Sequence, residues 1–328
     1  MKILLTRKIP GNHVQQLIDK GHEVSVSEFD RALTGEELVN KIKGVDAVIS
    51  LLNDRMDGDL MDASGPQLKI ISNYAVGFDN VDIKAATDRG IVVTNTPCEE
   101  VNEAVADHAW ALILNLARRV TEADKAVRLG SYKGWEPDIF LGSNLTGKTL
   151  GIIGLGRIGT MVASKAKAFN MNVLYNKREP DPEIEKTLGA KFASLDELLA
   201  NSDFISLHVP LTEETRHMIN DKSLAKIKKG AYLINTARGP IVDEHALVAA
   251  LRSGQLSGAG LDVFDNEPNL DPELVGLNNV VLTPHIASAT VEARNKMGEL
   301  AVNAILDLVL DKKPVNLTNP DVWEKRRK

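Results

Sequence analysis

The feature that most constrains the fold of this chain is a glycine-rich turn that directly follows a short apolar run. Residues 150–153 resemble a buried strand, and a helical pattern through Met161, Ala163 and Ala166 begins after the turn. Three glycines at this spacing allow a tight turn, close approach of the backbone to a diphosphate, and close packing of helix on strand. The strand–turn–helix context favours a Rossmann-type dinucleotide site over an ordinary tight turn. The predicted cofactor-binding residues of this turn are Gly154, Leu155, Gly156, Arg157, Ile158 and Gly159.

Two cations follow the next predicted strand, where an NAD site usually carries an acidic residue. Residues 173–175 lead into Asn176, Lys177 and Arg178, with no Asp or Glu at this position. An acid there would accept a hydrogen bond from the ribose 2′-hydroxyl of NAD, whereas cations suit the 2′-phosphate of NADP. We therefore predict that NADP(H) is preferred through Lys177 and Arg178 and that NAD(H) is possible. Solvated loop charges are the alternative.

Short apolar runs alternate with helical patterns over two stretches of the chain. The runs of the first stretch are 3–5, 24–26, 47–52, 68–71 and 91–93, and those of the second are 149–153, 173–175, 204–207, 232–234, 258–263 and 280–282. Most of them do not alternate with polar residues, which is typical of strands buried on both faces of a parallel sheet. The sequence therefore predicts an α/β protein with two doubly wound parallel-sheet domains.

Length and composition agree with this class and exclude others. A chain of 328 residues exceeds what one core usually organises, and 43% hydrophobic with 26% charged residues is typical of globular proteins. The net charge of −6 disfavours nucleic-acid or membrane partners. Cys98 is the only cysteine, which excludes an intrachain disulfide and zinc sites with two thiolates, and we predict no metal. Without a long apolar run or a signal-peptide pattern, a cytoplasmic location is expected.

Two longer helical patterns lie outside these runs. The first connects the two stretches, and the second ends the chain after Pro284. Each has an apolar stripe that must be buried, although periodicity alone does not say which domain receives the terminal one. The stripes consist of Ala106, Ala109, Trp110, Ile113 and Ala117 in the first helix, and of Met297, Leu300, Ala301, Ala304, Ile305 and Leu308 in the second.

Three further segments, together with the glycine turn, give the chain a recognisable order of motifs. They are Asn235-Thr236-Ala237-Arg238-Gly239, Gly260-Leu261-Asp262-Val263-Phe264 with Asn266-Glu267-Pro268, and Thr283-Pro284-His285-Ile286-Ala287-Ser288. Residues 73–80 (NYAVGFDN) and 95–97 (NTP) precede them. On these motifs the chain resembles the D-isomer-specific 2-hydroxyacid dehydrogenases over nearly its whole length, especially their glyoxylate and hydroxypyruvate reductase branch.

The resemblance implies a role for each motif. His285 would be the proton donor, Glu267 its partner, and Arg238 the cation that binds the substrate carboxylate and polarises the carbonyl group. A carboxylate beside an imidazole favours the protonated ring. The amides of Val76 and Gly77 would receive the substrate carboxylate. The remaining cofactor-binding residues would be Thr236, Ala237 and, orienting the nicotinamide carboxamide, Asp262.

The resemblance also implies the architecture and the activity. Residues 1–98 and 287–328 would form a discontinuous substrate domain around an inserted NAD(P)-binding Rossmann domain, 99–286. The expected function is NADPH-preferring reduction of small 2-oxo acids, glyoxylate or hydroxypyruvate, to 2-hydroxy acids by a homodimer. A 2-ketogluconate reductase is one alternative. A dinucleotide-sensing corepressor is another, since the fold alone does not imply catalysis.

Several single residues carry weaker expectations. Trp135, in a polar loop, would lie either at a dimer interface or packed within its own subunit. The terminal segment 325–328 (KRRK) is expected to be a solvated tail, and Cys98 is expected to be inert. Histidines other than His285 are expected to be structural or exposed; they are His13, His22, His108, His208, His217 and His245.

Overall fold

The computed structural model describes residues 1–328, and the chain divides into two compact units. The first unit comprises Met1–Val101 and Ala289–Lys328, and the second comprises Asn102–Ser288. The strands are β1 Lys2–Leu5, β2 Glu23–Val26, β3 Ala47–Leu51, β4 Ile70–Tyr74, β5 Val92–Thr94, β6 Thr149–Ile153, β7 Asn172–Asn176, β8 Lys191–Phe192, β9 Phe204–Leu207, β10 Ala231–Asn235, β11 Leu256–Leu261 and β12 Val280–Leu282. The helices are α1 Gln15–Asp19, α2 Gly35–Ile42, α3 Gly58–Ser64, α4 Ile83–Asp88, α5 Glu99–Arg118, α6 Val120–Arg128, α7 Arg157–Ala166, α8 Pro182–Leu188, α9 Leu195–Asn201, α10 Asp221–Leu224, α11 Glu244–Arg252, α12 Pro272–Val275 and α13 Val291–Val309.

The first unit is built on a five-stranded parallel sheet in the order β2-β1-β3-β4-β5. Every residue of β4 is buried, as expected for a strand covered on both faces of a parallel sheet. Helix α13 packs on β4, where the Ser72 hydroxyl donates to the Ala301 carbonyl at 2.9 Å and the Tyr74 hydroxyl donates to the Arg294 carbonyl at 2.8 Å. The first unit therefore receives the apolar stripe of the terminal helix.

The terminal segment also completes the edge of this sheet. The amide of Val93 in β5 donates to Asn319 Oδ1 at 2.9 Å, and the amide of Thr318 donates back to the Val93 carbonyl at 2.9 Å. Residues after α13 thereby satisfy backbone groups that an edge strand would otherwise expose.

The expectation of a solvated basic tail is wrong for Arg326 and Arg327, which are partly buried, whereas Lys325 and Lys328 are exposed. Arg327 donates from Nε to the Arg89 carbonyl at 2.7 Å and from Nη1 to the carbonyls of Gly65 and Leu68 at 3.0 Å. Gly65 and Arg89 are the residues at the carboxyl ends of α3 and α4, where helix carbonyls lack partners. The guanidinium, with its several donors, satisfies these carbonyls and ties the tail to the first unit.

The second unit is built on a seven-stranded parallel sheet in the order β12-β11-β10-β9-β6-β7-β8. The strand order reverses between β6 and β9, so the carboxyl ends of these two strands form the topological switch point at which doubly wound folds bind ligands. Two parallel-sheet α/β units of this kind confirm the predicted fold class. On the sheet, α5 buries Ala106, Ala109 and Trp110, whose indole nitrogen donates to the Val162 carbonyl at 3.0 Å.

Two global properties bear on the partners of the chain. No helix is both long and apolar enough to span a lipid bilayer. No cluster of three or more His, Cys, Asp and Glu side chains is arranged to hold a metal ion.

Candidate active site

The glycine turn lies at the switch point, between β6 and the first residue of α7. Gly154 has φ +97°, and a side chain there would come within 2.7 Å of the His208 carbonyl. A Cβ on Gly159 would overlap the carbonyl oxygen of Gly154, so this glycine allows helix and strand to approach closely. Beside Gly156, by contrast, a Cβ would meet nothing within 4 Å. The turn therefore has the open space and the helix N-terminus that a diphosphate requires.

Lys177 and Arg178, the two cations predicted to contact the 2′-phosphate on the adenosine ribose, follow β7. Lys177 forms an ion pair. Lys177 Nζ lies 2.9 Å from Asp181 Oδ2, and Asp181 also caps α8 by accepting a hydrogen bond from the amide of Ile184. The Lys177 ammonium group is the main reason that the pKa of Asp181 lies below its usual value. The cation pair thus has an acidic neighbour to which sequence reasoning gave no role.

The segment after β10 carries a buried hydroxyl group without a hydrogen-bond partner. Thr236 is 9% exposed and its Oγ1 is unpartnered, while the amide of Ala237 donates to Asn235 Oδ1 at 3.0 Å. An unpartnered buried hydroxyl is costly, so it marks a position where a bound molecule would supply a partner. Together with the open turn at Gly156, it shows that the residues present fit a dinucleotide.

Arg238 begins the short helical turn Gly239–Ile241, and the turn packs against the segment that carries Glu267. Its Nη1 donates to the Ala237 carbonyl at 2.7 Å. A side chain on Gly239 would overlap the Phe264 carbonyl, so only glycine lets the two segments approach this closely. The motifs that contain Arg238 and Glu267, 29 positions apart, are therefore neighbours in the second unit.

His285 and Glu267 form a hydrogen-bonded pair. The two side chains meet at 2.8 Å between Nδ1 and Oε2, and they are 25% and 31% exposed. The other oxygen, Glu267 Oε1, accepts the amide of Phe264 at 3.0 Å, which orients the carboxylate. Because a carboxylate only accepts, Nδ1 carries the proton of this bond, and Nε2 remains available for exchange with a bound substrate.

Asp262 is completely buried, and both of its oxygens accept hydrogen bonds from protein groups. Oδ1 accepts the Thr283 hydroxyl at 2.6 Å and the Ile286 amide at 2.9 Å, and Oδ2 accepts the Ala287 amide at 2.7 Å. The ring of His108 lies 3.4 Å from Oδ1. Burial raises the pKa of Asp262, but the neighbouring His108 ring and the hydrogen bonds from Thr283, Ile286 and Ala287 outweigh it and leave the pKa below its usual value. Its contact with the nicotinamide stays a prediction.

Val76 and Gly77 follow β4 in the first unit. The Val76 carbonyl accepts Asn95 Nδ2 at 2.7 Å and the Gly77 carbonyl accepts Asn73 Nδ2 at 3.1 Å, so their peptide planes are held by two amide side chains. Their own amides donate no hydrogen bond within this unit. Two neighbouring amides that have no acceptor within the unit can both donate to one carboxylate.

Sequence reasoning missed three residues of these networks: His108, Asp181 and Thr283. Asp181 had a local signal, because an Asp directly before Pro182 is typical of a helix start. Thr283 lay inside a recognised motif without an assigned role. His108 lies between Ala106 and Ala109 of a buried helix face, which was a sign that it is not solvated.

The fold and the site together describe a dinucleotide-dependent oxidoreductase, and comparison with known proteins agrees. The model of the D-isomer specific 2-hydroxyacid dehydrogenase, NAD binding domain, matches residues 110–287. The chain belongs to the D-isomer-specific 2-hydroxyacid dehydrogenase family, and it is an NAD(P)-dependent enzyme.

Individual relatives cover nearly the entire chain. A glyoxylate reductase of Thermococcus onnurineus is 49% identical over 99% of this chain and 98% of its own length. A crystal structure of a Thermus thermophilus protein has a TM-score of 0.90 at 45% identity and covers 97% of this chain and 100% of that one. An NADPH-dependent glyoxylate/hydroxypyruvate reductase of Sinorhizobium meliloti has a TM-score of 0.83 at 34% identity, with 97% and 98% covered.

Proposed function

We propose that this enzyme reduces small 2-oxo acids, glyoxylate and hydroxypyruvate, to 2-hydroxy acids and prefers NADPH to NADH. The observation that carries the proposal is the His285–Glu267 pair at 2.8 Å, a proton donor with its orienting carboxylate beside the Arg238 segment. Support for the substrate comes from the relatives, since a protein 49% identical to this chain is a glyoxylate reductase.

The mechanism follows from what the side chains can do. A bound nicotinamide dinucleotide supplies a hydride for the carbonyl carbon. His285 donates the proton from Nε2 to the carbonyl oxygen, while Glu267 holds Nδ1–H and stabilises the charged ring before transfer. In the opposite direction the neutral ring accepts the proton of the hydroxyl group. Arg238 binds the carboxylate through its planar fork and draws electron density from the carbonyl group.

Val76 and Gly77 are proposed to bind the substrate carboxylate through their amides. Each amide would donate one hydrogen bond to a carboxylate oxygen, and the charge of the oxygen strengthens that bond. Asn73 and Asn95 hold the carbonyl groups of the two residues, so the amides are oriented before substrate arrives.

The cofactor preference is proposed to reside in Lys177 and Arg178. Both cations lie after β7, the strand next to β6 in the sheet, where a dinucleotide bound at the turn extends its adenosine ribose. One relative of known structure, 34% identical, is an NADPH-dependent enzyme. The residues that would hold the rest of the cofactor are Gly154, Leu155, Gly156, Arg157, Ile158, Gly159, Thr236, Ala237 and Asp262.

The proposal is tested with a panel of 2-oxo acids, each with NADPH and with NADH. Glyoxylate and hydroxypyruvate should be reduced with higher kcat/KM than 2-ketogluconate, because the two small acids match the activity of the relatives. The same panel is measured with His285→Ala, which removes the proposed proton donor. His245→Ala is its matched control, since the side chain of His245 is 93% exposed on α11. If no 2-oxo acid causes oxidation of either cofactor, the enzymatic proposal fails and a dinucleotide-sensing role takes its place.

The enzyme is proposed to be a homodimer. Helix α6 buries none of its residues in its own chain, and the segment after it exposes further large apolar side chains. Trp135 is 85% exposed, which contradicts the expectation that it packs within its own subunit. Apolar surface on this scale calls for a covering partner. The exposed side chains are Val120, Val127, Leu129, Tyr132, Trp135, Ile139 and Leu141.

A further inference from the structure

We propose that His108 is a positioning residue for the reaction: through Thr283 and Asp262 it holds the segment that carries His285 in its working conformation. The inference rests on the proposed role of His285 as proton donor. It concerns a histidine on helix α5, outside every recognised motif, that touches no reacting atom in the proposed mechanism.

The direction of the hydrogen bonds from His108 to Asp262 follows from the chemistry of the groups. His108 Nε2 lies 2.9 Å from Thr283 Oγ1, and Thr283 Oγ1 lies 2.6 Å from Asp262 Oδ1. Both oxygens of Asp262 accept backbone amides, and the 2.6 Å contact is the shortest that Thr283 Oγ1 makes, so the carboxylate accepts the single hydroxyl proton of Thr283. The remaining lone pairs of Thr283 Oγ1 can only accept, and His108 must therefore donate from Nε2. This assigns the Nε2–H form to His108.

Asp262 transmits this arrangement to both sides of His285. Its backbone carbonyl accepts the amide of His285 at 2.9 Å, and its carboxylate accepts the amides of Ile286 and Ala287 at 2.9 and 2.7 Å. Three consecutive amides, beginning with that of the catalytic histidine, are thus fastened to a single residue. The position of the His285 ring relative to Glu267 depends on this attachment.

The backbone of His285 requires such an attachment. Its φ is +53°, in the left-handed region that residues other than glycine rarely adopt. A backbone conformation of this kind persists only where several surrounding contacts hold it in place. The contacts here converge on Asp262: its backbone carbonyl accepts the amide of His285, and its carboxylate, held by the side chains of His108 and Thr283, accepts the next two amides.

Removal of the His108 donor has a direct consequence. The side chain of His108 is 18% exposed and that of Asp262 is fully buried, so water has little access to replace the lost bond. The carboxylate would then rotate or draw in water, and the amides of Ile286 and Ala287 would lose their acceptor part of the time. A displacement of the donor by about 1 Å lowers turnover by up to about a hundredfold.

Two pairs of variants separate positioning from packing. His108→Leu removes the donor while it fills the space, whereas His108→Gln places an amide nitrogen near the position of Nε2. Thr283→Val removes the hydroxyl group at constant shape, whereas Thr283→Ser keeps it. His245→Leu is the control for the loss of a histidine, because this exposed residue lies outside the network.

Two readouts are measured on each folded variant: steady-state kcat and KM with the best 2-oxo acid, and hydrogen exchange at the amides of Ile286 and Ala287. We expect His108→Leu and Thr283→Val to lower kcat at least about tenfold with KM changed less than about threefold, and to speed exchange at both amides about tenfold or more. The Gln and Ser variants should stay within about threefold of the parent in both readouts. The melting temperature confirms that the compared proteins are folded.

The inference is overturned if His108→Leu keeps the kcat and the exchange protection of the parent, or if His108→Gln loses as much as His108→Leu. Loss of melting temperature with normal kcat would show a structural role and would also overturn it. The exchange readout needs no substrate. If the parent enzyme reduced no 2-oxo acid, the proposed function would fail. Hydrogen exchange at Ile286 and Ala287 would still test whether His108 holds this segment in position.

Discussion

The pair formed by Lys177 and Asp181 makes cofactor selectivity the most specific prediction of this structure. Replacement of Lys177 by Asp removes the cation and places an acid where it could accept from the 2′-hydroxyl of NADH and repel the phosphate of NADPH. Replacement of Asp181 by Asn does the opposite, because it releases Lys177 Nζ from a partner 2.9 Å away and removes a negative charge near the phosphate.

The size of the effect follows from the surroundings of Lys177. A hydrogen bond between charged groups contributes about 1.5–3 kcal/mol. The Lys177 side chain is 32% exposed and already engaged, so the lower end applies, and about 1.5 kcal/mol corresponds to a preference of about tenfold. Lys177→Asp should therefore lower the ratio of kcat/KM for NADPH over that for NADH at least about tenfold. Asp181→Asn should raise the ratio about threefold.

The assay is the ratio of catalytic efficiencies with the two cofactors at fixed glyoxylate, measured for the parent and for each variant. Lys229→Asp is the control for the change in charge, since Lys229 is exposed and lies before the amino end of β10. The glycine turn lies at the carboxyl ends of the strands, on the opposite side of the sheet. Added salt should weaken NADPH binding more than NADH binding, because the contacts are partly exposed. A parent that uses NADH as well as NADPH, or a ratio that Lys177→Asp leaves unchanged, would refute the reasoning.

Three other substitutions test the proposed catalytic side chains and the proposed dimer. His285→Ala should lower kcat about 10²- to 10⁴-fold while NADPH still binds, because the proton donor is lost but the phosphate contacts remain; turnover within about tenfold of the parent would contradict this. Arg238→Lys should lower kcat/KM for glyoxylate at least about tenfold, since an ammonium group lacks the planar fork; unchanged kcat and KM would remove Arg238 from the site. Trp135→Ala should shift the enzyme toward monomers in analytical ultracentrifugation at low micromolar concentration, and a fully dimeric variant would argue against the interface.

The parts of the fold that local chemistry determines were predictable from the sequence. The strand, glycine turn and helix around Gly154 follow one another in the chain, and Gly154 and Gly159 each meet a local requirement for a turn or a close approach. The α/β class was equally accessible, because buried parallel strands leave short apolar runs such as residues 91–93 and 232–234. Family membership followed from the order of several motifs, which is far more specific than any one of them.

What could not be predicted depends on contacts between residues distant in the chain. The stripe of α13 was visible, but a periodic pattern defines a face without naming its partner, and only the structure places it on β4. Arg327 looked like a solvated charge, because the unpaired carbonyls at the ends of α3 and α4 are not visible in a sequence. His108 reaches Thr283 across 175 positions, so no local pattern could assign it to the site.

The first unit is assembled from both ends of the chain, and this has a consequence for the order in which the protein can fold during synthesis. Strand β4 leaves the ribosome more than 200 residues before its covering helix α13, whereas the second unit is one continuous segment, Asn102–Ser288. A nascent chain would therefore complete the cofactor-binding unit while the first sheet still lacks one of its covers. Stalled chains that end before Ala289, once exposed from the ribosome, should resist limited proteolysis over residues 102–288 and remain cleavable near β4. Protection of both regions at that length would show that the sheet of the first unit is stable without its terminal helix.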